Sequence, residues 1–148
     1  MQTLLLQWAQ KIAPRLPEAP AGLVLSEALN QLAPHLWRGE DFAWLQHRTV
    51  RLYVTDLGFG VTLGHSGQRF TWSNAAAQVT LSAALADYRC MLRGEADPDT
   101  LFFQRRLALE GDTALGLYVK NWLDATDRDA LLELLPAFAG RWLRPTRF

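Results

Sequence analysis

Histidine and cysteine are where chemistry would begin in this chain, and both are scarce and scattered. There are three histidines, His35, His47 and His65, and one cysteine, Cys90. A zinc site wants its ligands at short, regular spacing, and no second ligand stands at that spacing from any of the three imidazoles. His65 falls at a turn, where exposure is the default. Cys90 lies in a predicted helix among apolar neighbours with no histidine partner, which describes an inert buried thiol rather than a nucleophile. A single cysteine also excludes an internal disulfide and fits a reducing compartment. No serine occupies a G-x-S-x-G elbow. Gly58-Phe59-Gly60 is a lone G-x-G: position 63 is Leu, and another strand follows where a dinucleotide fingerprint needs a helix.

The carboxylates and guanidines read mostly as structure. Glu110 and Asp112 are close enough in sequence for acid–base work. Yet Asp112 precedes an amphipathic helix as its cap, and Glu110 faces away from the apolar side of its strand. Arg105 and Arg106 leave two readings open. One of them pairs with Glu110, Asp112 or Asp99, or one holds an anionic lipid head group bidentately at the mouth of an apolar cavity. The three glycines Gly58, Gly60 and Gly64 bare one strand face, so that a helix or a ligand can approach closely. Basic and acidic residues balance at 15 each, which gives no overall field toward nucleic acid.

What remains is apolar surface. Six Trp and seven Phe in 148 residues are more than a plain core of one domain asks for. Phe59, Val61, Phe70, Trp72, Leu85, Tyr88, Leu92, Phe102, Phe103, Leu115, Tyr118, Val119 and Trp122 are the candidates to line a cavity. Rigid rings can hold a hollow open where flexible aliphatics would collapse into it. Each methylene of a guest buried there contributes about 0.8 kcal/mol. The residues alone leave a cavity and a filled core as alternatives.

The elements that must position these groups follow from periodicity. Residues 2–13 make a short amphipathic helix with Leu4, Leu5, Trp8 and Ile12 on one face. Pro14, Pro17 and Pro20 then form a stiff break. The helix either docks on the domain, pairs with a partner or lies on a membrane surface. It is neither a signal peptide nor a membrane span. A second helix is predicted over 21–37, shortened or kinked by Pro34, and a helical turn over 40–46.

The period then changes to two. Val50, Leu52 and Val54 alternate with polar partners, Phe59, Val61 and Leu63 follow after a turn at 56–58, and Phe70 and Trp72 follow after Ser66-Gly67. Three strands on short turns make an antiparallel meander. A fourth strand is predicted over 78–82 and a fifth over 107–110. A helix over 83–93 ends at Gly94. Asp97-Pro98 opens a helical turn, and Asp112 opens a helix with Leu115, Tyr118, Val119 and Trp122 on one face. Thr126-Asp127 caps a last helix with Leu131, Leu132, Leu135 and Phe138. The segment 140–148 carries Arg141, Trp142, Arg144 and Arg147 and no acid. The organisation expected is a first helix and proline break over 1–20, a domain over 21–139 and a basic aromatic tail over 140–148. There is no internal repeat.

Two runs, DPDTLFFQRRLALEGDTALGLYVKN and VRLYVTDLGFGVTLG, resemble the signature of the sterol carrier protein type 2 (SCP2) domain family, and the likeness covers roughly 46–124. The resemblance implies an α/β (α+β) fold: a five-stranded, mainly antiparallel sheet covered by helices, with an apolar lipid cavity. Within the family the likeness is to the bacterial accessory factors of ubiquinone biosynthesis. It implies no enzymatic activity and no cofactor. It implies instead a lipid ligand, a ubiquinone precursor or phospholipid, and as partners the ubiquinone-biosynthesis hydroxylases of the oxygen-independent branch. The aerobic relative carries a longer C-terminal coiled coil, whereas this chain ends 24 residues after Asp124, so the oxygen-independent type is expected. A cytoplasmic protein is expected, with Trp8, Arg141, Trp142, Arg144 and Arg147 making peripheral contact with the inner membrane. The rival readings are a lipid-modifying enzyme and a solid-core interaction module.

Overall fold

The computed structural model describes residues 2–134. A helix α1 (Gln2–Ile12) and a 3-10 turn (Ala13–Arg15) precede the long helix α2 (Glu18–Leu36). α2 starts inside the proline-rich stretch that reads as a break. Pro20 sits in its first turn, where the backbone N–H has no intrahelical acceptor to lose, so the ring costs no hydrogen bond. At the other end Pro34 stands two positions before the last helical residue, so the helix runs through it and gives up that N–H only in its last turn.

Three strands follow as a meander: β1 (Val50–Val54), β2 (Phe59–His65) and β3 (Phe70–Trp72). β4 (Val79–Ala83) then returns to the other side of β1 and runs parallel to it, and β5 (Leu107–Gly111) pairs antiparallel with β4. The order across the sheet is β3-β2-β1-β4-β5, with one parallel pair and three antiparallel ones. Between β4 and β5 lie α3 (Leu85–Arg93) and the short α4 (Pro98–Phe103). α5 (Thr113–Asp124) and α6 (Arg128–Leu134) complete the helical layer.

The registers put Val50, Leu52, Val61, Leu63, Phe70, Val79, Leu81 and Leu107 on one face of the sheet. Most of that face is buried under α2, α3, α5 and α6. The opposite face carries Arg51, Tyr53, Thr80, Ser82 and Glu110, and among the described residues no helix of the core layer lies over it. The glycine-bared stripe of β2 lies there. A Cβ on Gly60 would stand 2.9 Å from the Arg51 guanidinium, which fills the stripe and reaches Glu18 at the start of α2 at 2.6 Å.

Local signals end the helices where the sequence predicts. Asp97 Oδ1 accepts the Thr100 N–H at 2.7 Å, Asp112 Oδ1 the Leu115 N–H at 3.0 Å, and Asp127 Oδ1 the Ala130 N–H at 3.0 Å. Gly94, at φ +75°, closes α3 with bonds from Gly94 to Met91 and from Glu95 to Cys90. Arg105 adopts the same left-handed conformation, at φ +61°, at the end of α4. One contact fixes how α2 crosses the sheet. At Gly22 a side chain would overlap the Trp72 indole, at 2.0 Å, so only glycine lets the helix lie this close to β3.

Candidate functional site

The helices α2, α3, α5 and α6 do not close completely over β1. They leave an apolar pocket of about 230 Å³ lined by Leu25, Leu29, Leu32, Leu36 and Trp37 from the α2 region, Leu52 from β1, Tyr88, Met91 and Leu92 from α3, Trp122 and Leu123 from α5, and Thr126 and Leu131 at α6. The leucines at 25, 29, 32 and 36 are the stripe that the sequence shows on α2, and their spacing turns all four to one side.

Most of the few polar atoms on this wall are committed elsewhere. The Tyr88 hydroxyl lies 3.0 Å from both the Tyr53 and Leu81 carbonyl oxygens and donates to them. Burial pushes its phenol well above the ordinary tyrosine value, so it stays protonated. The Trp37 indole N–H points to the Trp122 carbonyl at 3.2 Å and to Thr126 Oγ1 at 3.3 Å. Trp122 is 5% exposed, and its buried indole N–H has no acceptor among the described residues. A wall of this kind can hold apolar chain and exclude water; it offers no acid, base or nucleophile.

Three of the residues predicted to line a cavity therefore do so: Tyr88, Leu92 and Trp122. The others are placed differently. Leu115 and Val119 are fully buried in the filled core, and Val61 and Phe70 are buried on the sheet. Phe59 is half-buried at the start of β2, and Trp72 is half-buried against α2 at Gly22. Leu85 borders a separate groove beside Leu5, Leu6 and Ala9 of α1. Phe102 borders a groove beside β5, Phe103 is 81% exposed, and Tyr118 is half-exposed and stacked on Trp44 at 5.7 Å.

Rings make up part of the pocket wall, as Trp37, Tyr88 and Trp122, and leucines most of the rest. Trp37 and Trp122 also belong to a neighbouring ring cluster, with Phe42 against Phe70 at 4.8 Å, Trp37 against Trp122 at 5.1 Å and Phe70 stacked on Trp122 at 5.7 Å. A groove of about 450 Å³ runs along that cluster, beside Trp37, Phe42, His65 and Phe70. The pocket itself opens where the leucines of α2 face Leu52, Met91, Leu92 and Leu131 beside these rings.

The arginines also sort themselves. Arg106 bonds Asp87 through Nε at 2.8 Å and again through Nη2, with Nη1 on Gln104 at 3.2 Å. The acid partner of the pair is thus Asp87, and not Glu110, Asp112 or Asp99; Asp99 takes Lys120 instead, at 2.8 Å. Arg105 is exposed. Neither guanidinium lines the pocket. Burial, with Glu95 nearby, pushes the Cys90 thiol up and away from thiolate. Among the described residues no group of His, Cys, Asp and Glu is arranged to hold a metal ion. Trp8 is exposed on α1, while Arg141, Trp142, Arg144 and Arg147 lie outside the described residues.

Sequence reasoning missed Leu25, Leu29, Leu32, Leu36, Trp37, Leu52, Met91, Leu123, Thr126 and Leu131 as pocket residues. The signal was the α2 stripe, which reads equally well as ordinary core.

The fold has known counterparts. A family model described as the SCP-2 sterol transfer family matches residues 25–124, a span that runs from the first pocket leucine to the end of α5. The chain belongs to the SCP-2 family. It is 40% identical over 96 residues to the ubiquinone biosynthesis accessory factor UbiT of Escherichia coli strain K12, across 64% of this chain and 55% of that protein. UbiT of Escherichia coli O157:H7 gives the same figures. The chain spans about half the length of the curated relatives it matches. Among solved structures, the UbiJ-SCP2 ubiquinone synthesis protein superposes with a TM-score of 0.53 at 16% identity, covering 73% of this chain and 97% of that one. The likeness to UbiJ is one of SCP-2 fold.

Proposed function

We propose that this chain is a lipid-binding accessory factor of oxygen-independent ubiquinone biosynthesis. It holds an isoprenoid intermediate or a phospholipid and presents it to the hydroxylases of that branch, without performing chemistry itself. The observation that carries the reading is the leucine-lined pocket, together with 40% identity to UbiT, whose name supplies the pathway. At about 230 Å³ the empty pocket lies below the usual ligand range of roughly 300–1,000 Å³. It accepts part of a chain as it stands, and a longer guest widens it. Tyr88, Leu92 and Trp122 then contact the guest directly.

Membrane contact belongs to the same reading. α1 turns apolar groups outward, with Trp8 67% and Leu5 67% exposed, and the segment 140–148 adds Arg141, Trp142, Arg144 and Arg147. No helix among the described residues is long and apolar enough to cross a membrane. A cytoplasmic protein that touches the inner-membrane surface peripherally fits both features, and each arginine near an anionic leaflet contributes about 1 kcal/mol. Arg105, exposed and unlike Arg106 not tied to Asp87, is the better remaining candidate for a head group.

Native mass spectrometry of the purified full chain, followed by lipid extraction, tests the proposal. A stoichiometric isoprenoid or phospholipid supports it. The control is Leu32→Phe, which puts a ring into the pocket: it should abolish the co-purifying lipid while the protein stays folded. Lipid retained in full by Leu32→Phe would move the site elsewhere, and turnover of the extracted lipid would make the protein an enzyme.

A further inference from the structure

The two edges of the sheet are finished differently. At the β3 edge the Asn30 side chain stands in for a neighbouring strand. Its Oδ1 accepts the Phe70 N–H at 2.6 Å and its Nδ2 donates to the Phe70 carbonyl at 3.0 Å. Glu27 adds an ion pair to Arg69 at 2.6 Å. An edge occupied in this way cannot template further pairing. Beyond β5, no strand among the described residues covers the edge.

Which backbone groups of β5 point outward follows from the ladder. The Thr55 N–H donates to the Ala83 carbonyl at 2.9 Å, so Val79, Leu81 and Ala83 turn their amides toward β1. That leaves Thr80 and Ser82 to bond β5, where they face Glu110 and Ala108. The Asp112 N–H bond to the Gln78 carbonyl, at 2.9 Å, continues the same phase. Leu107, Leu109 and Gly111 therefore aim N–H and C=O away from the sheet. Beside them runs a groove with Val79, Leu109 and Gly116 at its base and Phe102 and Leu117 on its walls. Phe103, 81% exposed, stands edge-on to Phe102 at 5.8 Å.

Charge along the strand decides the occupant. Arg105 and Arg106 precede β5, and Glu110 and Asp112 stand at its end. A strand positive at its start and negative at its end complements itself when turned antiparallel.

We propose that two copies of this chain pair through their β5 edges, antiparallel about a two-fold axis at Leu109, to form one continuous sheet. In that register Leu109 forms a hydrogen-bonded pair with Leu109 of the second copy, and Leu107 exchanges bonds with Gly111 of the second copy. Ala108 lies opposite Glu110, and the Arg106 end lies opposite Asp112. Arg106 keeps its bonds to Asp87 and still has 46% of its side chain exposed to meet the second copy. Phe102, Phe103 and Leu117 of both copies share one apolar seam. The two-fold closes on itself, so assembly stops at the dimer. This pairing does not depend on the lipid reading.

Ala108 and Glu110 supply the test, because both are exposed and both lie on the sheet face away from the pocket. Sedimentation velocity across a dilution series should show the full chain as a dimer that dissociates on dilution. Ala108→Glu sets carboxylates against Glu110 twice per dimer and should raise the dissociation constant about tenfold. Ala108→Lys makes the opposite pair and should leave the dimer as tight or tighter. Combining Ala108→Glu with Glu110→Lys should restore association. Circular dichroism confirms that each variant is folded. A wild-type chain that stays monomeric throughout, or a dimer indifferent to the sign of the charge at 108, overturns the proposal.

Discussion

Around Trp122 the interior is closed by rings, whereas a few residues away, where α2 faces α3 and α6, leucines meet without filling the space. Trp37 and Trp122 belong to both regions, so the contrast is not one of composition alone. Rings are flat and stiff, and in the cluster their centroids settle 4.8 to 6.5 Å apart in edge-on, tilted and stacked pairs. The leucines project from one side of a straight helix toward elements whose separation is set elsewhere, by Gly22 on Trp72 and by the bonds that hold α6 to the end of α2 and to α3. One region is therefore a structural plug and the other is available space. The difference predicts that equal truncations cost unequal amounts.

The largest effect is expected at the plug. Trp122→Ala should lose about 3–5 kcal/mol of stability in denaturant unfolding, because the ring contacts on several sides have nothing to replace them. A loss near 1 kcal/mol would erase the distinction. Leu29→Ala, on the pocket wall, should cost about 2 kcal/mol, at the low end for such truncations, since part of its surroundings is already empty. Leu32→Phe should be smaller still, within about 1 kcal/mol of wild type, because there is room for the ring; a loss of 3 kcal/mol or more, in the range for severe overpacking, would mean the space is not there.

The mildest test is pH. His65 lies against the aromatic cluster, 5.3 Å from Phe42, and its Nδ1 accepts the Gly67 N–H at 3.0 Å. Burial lowers its pKa from the ordinary 6.5, with Asp41 opposing weakly. The unfolded chain then binds this proton more readily than the folded one. Stability is full above about 6.5 and declines as pH falls from there toward the depressed folded value. His65→Phe should flatten that decline in thermal melts taken between neutral and mildly acid pH, and an unchanged slope would assign it to other groups.

Much of the scaffold is legible in the sequence because the signals are local. Alternation over Val50–Val54, the caps at Asp97 and Asp112 and the stop at Gly94 each depend on residues within a few positions, and the structure places all of them as read. The pocket is less legible. Whether an apolar side chain fills or merely borders a space depends on how close two elements approach, and that distance is fixed by contacts such as Gly22 with Trp72, 50 positions apart. Arg106 finding Asp87, 19 positions away, is hidden for the same reason. So is the lock of Asn30 onto Phe70, across 40. Spacing identifies faces; it does not reveal which faces fail to meet.

That asparagine lock has a mechanical result. With Glu18 pinned to Arg51 at one end and Asn30 fastened to the sheet margin further along, α2 behaves as the door frame, and yielding to a bulky guest falls to α3 and α6. Amide exchange measured while a lipid is loaded should accordingly quicken or slow first in those two helices and leave the frame unchanged.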